Sequence, residues 1–207
     1  MNVFVETNFL VELALEQAGS AACERLLSLA EADSIGLFLP AYCFVEPHEM
    51  LRRRHRERTL LQERVSSELT QLGRSAPLAE RAAASAEIVK LLADSIEYET
   101  RRIEDVKRRV TGIAEVLPLD SHVVEHASVW QNVFDLSPQD AIVYASIRAR
   151  LERDGDAQLT SCFVSRNPKD FGERDIKEDM ERFNCKYFPL FETALEYIEH
   201  TLRQAGA

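Results

Sequence analysis

Short apolar runs alternate with longer amphipathic segments along this chain, and that rhythm constrains the fold more than any other feature. Each run of four to seven residues with strand-like composition is followed by a helical pattern. Because strands that alternate with helices pair in parallel through crossover connections, the sequence predicts an α/β fold. We expect a mainly parallel central sheet of about five strands flanked by helices. The predicted strands cover residues 2–5, 35–39, 114–117, 158–164 and 186–189.

One long region departs from this rhythm. Residues 52–112 are nearly all helical in pattern, and a small βα domain does not need them. We therefore predict a helical hairpin insert at 52–112, within a single domain that covers residues 1–207, a length suited to one well-buried core. The predicted helices cover residues 8–31 (one or two helices), 41–73, 78–112, 122–134, 138–153, 174–183 and the segment from Glu192 onward.

The charge balance limits the classes of partner. A nonspecific nucleic-acid binder usually carries excess Lys and Arg, whereas this chain has a formal net charge of −10. The balance does not exclude a nuclease, because metal ions neutralise phosphates at an acidic site. No apolar run approaches the roughly 18 residues of a membrane span, and the N-terminus lacks a signal-peptide pattern. We expect a cytoplasmic protein with no membrane partner.

The cysteines carry no metal or disulfide signature. All four are widely spaced, none forms a C-x-x-C pair, and each has apolar neighbours; they are Cys23, Cys43, Cys162 and Cys185. The sequence therefore predicts buried free thiols.

Polar side chains stand where several predicted elements begin or end. Ligands of open α/β sheets bind at the carboxyl ends of the strands, so these positions are candidates for a site. Glu6 directly follows the first strand, and Glu46 lies in the first turns after the second. Asp140 lies at a helix start in 136–140 (LSPQD), and Asn167 follows the fourth strand in 165–171 (SRNPKDF).

The order of these short motifs resembles that of PIN-domain (VapC-like) nucleases, and the motifs extend from residue 3 to residue 171. In that family, acidic residues meet at one end of a parallel sheet and bind divalent metal. The resemblance implies a PIN-like fold and a Mg²⁺- or Mn²⁺-dependent endoribonuclease, a hydrolase that uses metal-activated water. It implies Glu6, Glu46 and Asp140 as metal ligands, Asn167 as a further catalytic residue, and Asn8 and Asp170 as supporting residues.

Two departures from the family pattern define a second hypothesis. The family usually has Asp where this chain has Glu6, which is one methylene longer, and often an acid where it has Asn167, a neutral and weaker ligand. These differences favour a catalytically weakened PIN-like binding or scaffold protein.

A third hypothesis needs no chemistry. Asp140 and Glu46 suit the first turn of a helix, because a carboxylate there complements the helix dipole, and Asn8 is a natural N-cap. On this interpretation the acidic loops merely cap helices, and the insert is an oligomer interface.

The densest basic run, residues 52–58, begins shortly after Glu46. Its default interpretation is a solvated helix face, and the sharper one is phosphate contact by Arg52, Arg53 and Arg56. Arg101, Arg102 and 107–109 would add to such a patch if the insert helices fold back antiparallel. His122 and His126 are one helical turn apart, but with no third ligand nearby a structural role is the preferred interpretation.

The resemblance also bears on partners. It implies RNA as the substrate and, by family analogy, a homodimer as a candidate assembly. Many small members of the family are toxins neutralised by an antitoxin protein, so an antitoxin is a candidate partner. The predicted insert makes this chain larger than those members, which leaves a toxin–antitoxin role and an RNA-processing role both open.

Overall fold

A central parallel sheet organises the protein. The computed structural model describes residues 1–155 and 159–205, and within them five strands form one sheet in the order β3-β2-β1-β4-β5. Every neighbouring pair is parallel, which confirms the predicted α/β fold with a parallel sheet of about five strands. The strands are β1 (Asn2–Val5), β2 (Gly36–Pro40), β3 (Glu115–Leu117), β4 (Ser161–Val164) and β5 (Cys185–Phe188).

Helices connect the strands and cover the sheet. A 3₁₀ turn, Ala41–Phe44, leads from β2 into the longest helix. The helices of the described residues are α1 (Thr7–Leu15), α2 (Ser20–Glu31), α3 (Glu46–Leu72), α4 (Ala79–Ala84), α5 (Ala86–Thr111), α6 (Ser121–Val133), α7 (Pro138–Asp154), α8 (Pro168–Phe171), α9 (Arg174–Glu181) and α10 (Phe191–Ala205).

The predicted elements differ from these bounds in a few places. The stretch 78–112 is two helices, α4 and α5, and the predicted loop after the fourth strand contains the short α8. The fourth strand begins at Ser161, and the predicted strand residue Gln158 lies outside the described residues. All four cysteines are free and buried, as expected.

The position of β1 places the site. Val3, Phe4 and Val5 are fully buried, as befits the central strand of a sheet with both faces covered. β1 pairs with β2 on one side and β4 on the other. The chain leaves all three strands at the same edge of the sheet, so the residues that follow them are brought together.

Three helices, α3 to α5, lie between β2 and β3, where the sequence predicts the insert. Helix α3 packs against α5, and α5 packs against α1. Ile103, Val106 and Val110 of α5 belong to the same buried cluster as the β1 side chains. The assignment of a single domain at 1–207 with an insert at 52–112 stays a prediction. In the described part of the chain, no helix has the combined length and apolar character needed to cross a membrane.

Candidate active site at the carboxyl edge of the sheet

An open cavity of about 750 Å³ lies at the carboxyl edge of the sheet. Its lining brings together the four residues predicted to carry the chemistry, which come from four separate elements: Glu6, Glu46, Asp140 and Asn167. Asn8 and Arg53 of the predicted supporting and phosphate-contact residues also line it. Residues up to 161 positions apart in the chain thus share one wall, because the parallel sheet ends there.

Glu6 is held by the start of α1. It is the N-cap of that helix, where its Oε2 accepts the Asn8 backbone N–H at 2.9 Å and its Oε1 accepts the Asn8 side-chain amide at 2.5 Å. The prediction that Asn8 caps the helix was therefore wrong, because the longer Glu6 side chain folds back onto the free N–H groups of the first turn. Asn8 instead fixes the orientation of Glu6. Glu6 is only 6% exposed.

Glu46 is the first residue of α3. Its Oε2 accepts a hydrogen bond from the hydroxyl of Thr7, the residue that directly follows Glu6. Pro47 occupies the first turn of the helix, where its missing N–H costs nothing. Thr7 thus links the Glu46 carboxylate, at the start of α3, to the end of β1.

Asp140 lies in the first turn of α7 and is hydrogen-bonded on both oxygens. Ser137, the N-cap, accepts the Asp140 backbone N–H at 3.2 Å and donates its hydroxyl to Oδ2 at 2.5 Å. Oδ1 accepts the side-chain amide of Asn167 at 3.2 Å. The helix-start role and a place in the site are therefore both met by the same residue.

Three carboxylates of the cavity, those of Glu6, Glu46 and Asp140, carry raised pKa values. Burial raises the pKa of Glu6 to about 7, and the nearby charge of Glu46 adds to the shift. Burial also raises the pKa of Glu46, with a contribution from Asp140, and burial followed by the charge of Asp170 raises that of Asp140. Because these acids repel one another when they ionise together, a bound cation would stabilise their charged forms. The cluster is therefore a candidate cation site.

Asp170 and two of the predicted phosphate contacts lie apart from the cavity lining. Asp170 lines a neighbouring cleft with Lys169 and Glu173. Arg52 faces Glu49 on its own helix at 3.7 Å, and Arg56 is exposed and absent from the residues that line the cavity.

The arginines of the second basic group pair with acids of α2 and α5 and at the end of α1, and they do not extend the run on α3. Arg102 of α5 binds the carbonyl of Leu13 and the carboxylate of Glu16, both near the end of α1. Arg109 binds Glu24 and Glu31 of α2. These arginines tie α5 to α1 and α2, so the predicted extended basic patch is wrong in their case.

Further residues of the cavity wall were not anticipated from the sequence. Tyr42 and Glu49 line it, as does Arg166, which forms an ion pair with the buried Glu12. Arg166 lies inside the quoted SRNPKDF motif, so its position was available, but its partner is 154 residues away. No local pattern reveals a pairing at that separation.

The donors fit a hard divalent cation in chemical type. Carboxylate and amide oxygens are the ligands that Mg²⁺ and Mn²⁺ prefer, and Mg²⁺ is usually bound by one or two carboxylates together with water. Among the described residues, no three His, Cys, Asp or Glu side chains stand close enough to hold one ion. Glu46 and Asp140 are the pair best suited to it, since they lie close enough for the charge of Asp140 to raise the pKa of Glu46. The stacked rings of His122 and His126 lie on α6, outside this cavity.

Fold and site together define an α/β protein with an acidic cavity where its central strands end. The sequence profile of the PIN domain matches residues 3–171, more than half of the chain. The protein therefore belongs to the PIN-domain family.

Two further comparisons add nothing to this assignment. A chain in the crystal structure of VapBC2 from Rickettsia felis, bound to a DNA fragment from their promoter, resembles this protein at 12% identity and a TM-score of 0.40, covering 91% of this chain and 98% of that one. That likeness is too distant to carry an inference about function. No curated protein matches the sequence.

Proposed function

We propose that this PIN-domain protein is a Mg²⁺- or Mn²⁺-dependent endoribonuclease that hydrolyses RNA phosphodiester bonds. The observation that carries the proposal is the convergence of Glu6, Glu46, Asp140 and Asn167 on one open cavity. The proposal places the enzyme in the cytoplasm and covers both a toxin neutralised by an antitoxin and an RNA-processing enzyme. A homodimer stays a prediction within it.

Each side chain has a definite part in this proposal. Glu46, oriented by the Thr7 hydroxyl, and Asp140, oriented by Ser137 and Asn167, would hold the cation. When bound, the cation activates water as a nucleophile and stabilises the leaving oxygen. Glu6, held in place by Asn8, adds a third carboxyl group to the same cavity.

A specific observation favours the alternative of a catalytically weakened PIN-like binding or scaffold protein. Both carboxylate oxygens of Glu6 already accept hydrogen bonds from Asn8 as a helix cap, so fewer of its lone pairs remain for a metal. A ligand that must keep those bonds contributes less to a metal. The two candidates differ in one measurable property, which is hydrolysis.

The test is cleavage of a fluorescently labelled single-stranded RNA by the purified protein with Mn²⁺. We expect the wild type to cut and Asp140→Asn to lose at least about a hundredfold in rate, because a carboxylate ligand becomes a neutral amide. The matched control is Asp105→Asn, the same change at an exposed acid of α5 that pairs with Arg108. It should cut like the wild type.

Three outcomes separate the candidates. Cleavage that depends on Asp140 and not on Asp105 supports the enzyme. A wild type that binds the RNA but does not cut it supports the weakened protein. Equal cleavage by the wild type and Asp140→Asn contradicts the assignment of the active site.

A further inference from the structure

Arg166 is the cation placed closest in sequence to the site residues that follow β4. Its neighbour Ser165 accepts the Asn167 backbone N–H at 3.0 Å, and Asn167 in turn donates to Asp140 at 3.2 Å. Arg166 itself lines the cavity, and its side chain is 40% exposed. The loop therefore holds an arginine at the rim of a cavity whose other charged walls are mostly acidic.

A buried carboxylate fixes this arginine from behind. Nη1 of Arg166 donates to Oε1 of Glu12, whose side chain is 2% exposed and lies on α1. The other oxygen of Glu12 accepts the Gly19 backbone N–H at 2.8 Å. A Cβ at Gly19 would stand 3.1 Å from that oxygen and 3.2 Å from the Phe191 ring, so the pocket around Glu12 has no room to spare.

The guanidinium has more donors than this ion pair uses. Arginine carries five N–H groups in a planar fork, and the contact with Glu12 engages one of its terminal nitrogens. A fork that is held on one side by a rigid carboxylate and is exposed on the other is preorganised to bind an anion. Phosphate, like carboxylate, is an anion that such a fork binds in bidentate fashion, and it is the anion that a nucleic acid presents.

The charges of the cavity favour such a contact. Four carboxylates line it, those of Glu6, Glu46, Glu49 and Asp140, and an RNA backbone approaching them meets repulsion. Among the cavity-lining residues, the cations are Arg53 on α3 and Arg166 on the loop after β4. They stand on two different elements, so a strand in the cavity could have a phosphate on each.

We propose that Arg166 binds a backbone phosphate of the nucleic-acid substrate beside the carboxylates, and that Glu12 is the residue that positions it. The inference rests on the proposed function, since it assigns the phosphate contact of that same site. Arg166 touches substrate, whereas Glu12 acts only through Arg166. Both roles concern binding, so neither requires the chemical step to be observed.

The test measures binding of a labelled single-stranded RNA by fluorescence anisotropy over a range of KCl concentrations. Asp140→Asn serves as the parent background, so that bound RNA is not cut. In that background we expect Arg166→Gln to weaken binding about tenfold and to reduce the log–log salt slope by about 0.7, the loss of one single-strand phosphate contact. The RNA affinity of Arg166→Lys, which keeps the charge but not the planar guanidinium, should lie between the affinities of the parent and of Arg166→Gln.

Two further variants separate positioning from folding. Arg166→Gln leaves Glu12 buried and unpaired, so thermal unfolding is recorded for every variant. The double variant Glu12→Gln/Arg166→Gln has no unpaired buried charge and should bind RNA as weakly as Arg166→Gln. Glu12→Gln alone should weaken binding two- to threefold (roughly) while leaving the salt slope within error, because the contact is kept but held less firmly.

The control is Arg101→Gln, which removes an exposed arginine that pairs with Glu97 on its own helix. It should leave affinity and salt slope unchanged. The inference is overturned if Arg166→Gln binds like its parent, if Arg101→Gln loses as much affinity, or if the parent binds no RNA. Failure of the proposed function is a different result, since it is the absence of Mn²⁺-dependent cleavage by the wild type.

Discussion

Two buried glutamates of this protein have opposite surroundings. Glu6, at the sheet edge, is 6% exposed, and Glu99, between the long helices α3 and α5, is 8% exposed. The hydrogen-bond partners of Glu6 are neutral: the backbone N–H and side-chain amide of Asn8, and the hydroxyl of Ser165. Glu99 is surrounded by bases, with Arg58 at 3.1 Å, His55 at 3.2 Å and Arg54 at 3.8 Å.

The difference separates a carboxylate that the protein pairs internally from one that we propose to act in the site. Basic side chains of α3 balance the charge of Glu99, so this ion-pair cluster ties α3 to α5. It leaves no unbalanced negative charge at Glu99 for a ligand. At the sheet edge the acids face one another, and burial raises the pKa of Glu6 to about 7. Within the described residues, the hydrogen-bond partners of Glu6, Glu46 and Asp140 are neutral, which is why we propose a cation for the cluster.

The largest effect should come from removing Glu99 from its cluster of basic side chains. Glu99→Leu leaves three basic side chains around an apolar group, and we expect the free energy of unfolding to fall by about 3 kcal/mol. The control is Glu97→Leu on the same helix, where the exposed acid pairs only with Arg101. Urea denaturation measures both; equal losses would show that Glu99 is no more structural than a surface residue.

Removing the buried charge at the sheet edge should instead stabilise the metal-free protein. Glu6 has a pKa of about 7 when folded against 4.5 as its ordinary value, so its contribution is favourable below pH 4.5 and is lost as the pH rises through 7. Glu6→Gln keeps an oxygen to cap α1 without the charge. We expect it to raise the free energy of unfolding by about 2 kcal/mol at pH 8 and to change little at pH 4.5.

The comparison fails if this pH dependence is absent. A Glu6→Gln variant that is destabilised equally at both pH values would mean that ionised Glu6 carries no cost in the folded protein and acts only as a helix cap. Urea denaturation with EDTA present excludes a contribution from bound metal.

Proton competition should also appear in metal binding. Because a cation must displace the proton that Glu6 carries below about pH 7, Mn²⁺ affinity should rise up to tenfold (roughly) per pH unit below that value and then level off. Titration calorimetry from pH 5.5 to 8.5 measures this dependence. In Glu6→Gln the rise should be shallower; an identical profile would exclude Glu6 from the metal site.

The sequence was sufficient for the parallel α/β fold and for the expectation that Glu6, Glu46 and Asp140 lie together at one edge of the sheet. Buried strands such as Val3–Val5 are signalled by continuous apolar runs, and motifs that directly follow strands inherit the position of the sheet edge. The same local information placed Glu46 and Asp140 at helix starts, where the structure has them. These features depend on neighbours along the chain.

The parts that escaped prediction depend on distant residues. The sequence predicted Asn8 as the N-cap of α1, whereas Glu6 takes that place because its side chain accepts the Asn8 backbone N–H. The basic residues were misjudged for the same reason, because Arg102 and Arg109 bind acids of α1 and α2 rather than a ligand. Charge type is read from sequence, whereas the partner of each charge is set by tertiary packing.

The smallest expected effect comes from a comparison of two arginines on α3. Arg53 lines the cavity, whereas Arg56, one turn further on, does not. In the uncut Asp140→Asn background, we expect Arg53→Gln to weaken RNA binding two- to fivefold (roughly) and Arg56→Gln to leave it nearly unchanged. Equal losses at both positions would indicate a diffuse basic face instead of a defined phosphate contact.

The central claim is that the acidic cavity at the sheet edge binds a divalent cation. Calorimetric titration of Mn²⁺ into the metal-free protein at pH 8 tests it most directly, with Asp140→Asn and the surface variant Asp105→Asn alongside. We expect saturable binding by the wild type and Asp105→Asn, and at least tenfold (roughly) weaker binding by Asp140→Asn. No saturable binding by the wild type, or equal affinity in Asp140→Asn, would contradict the claim.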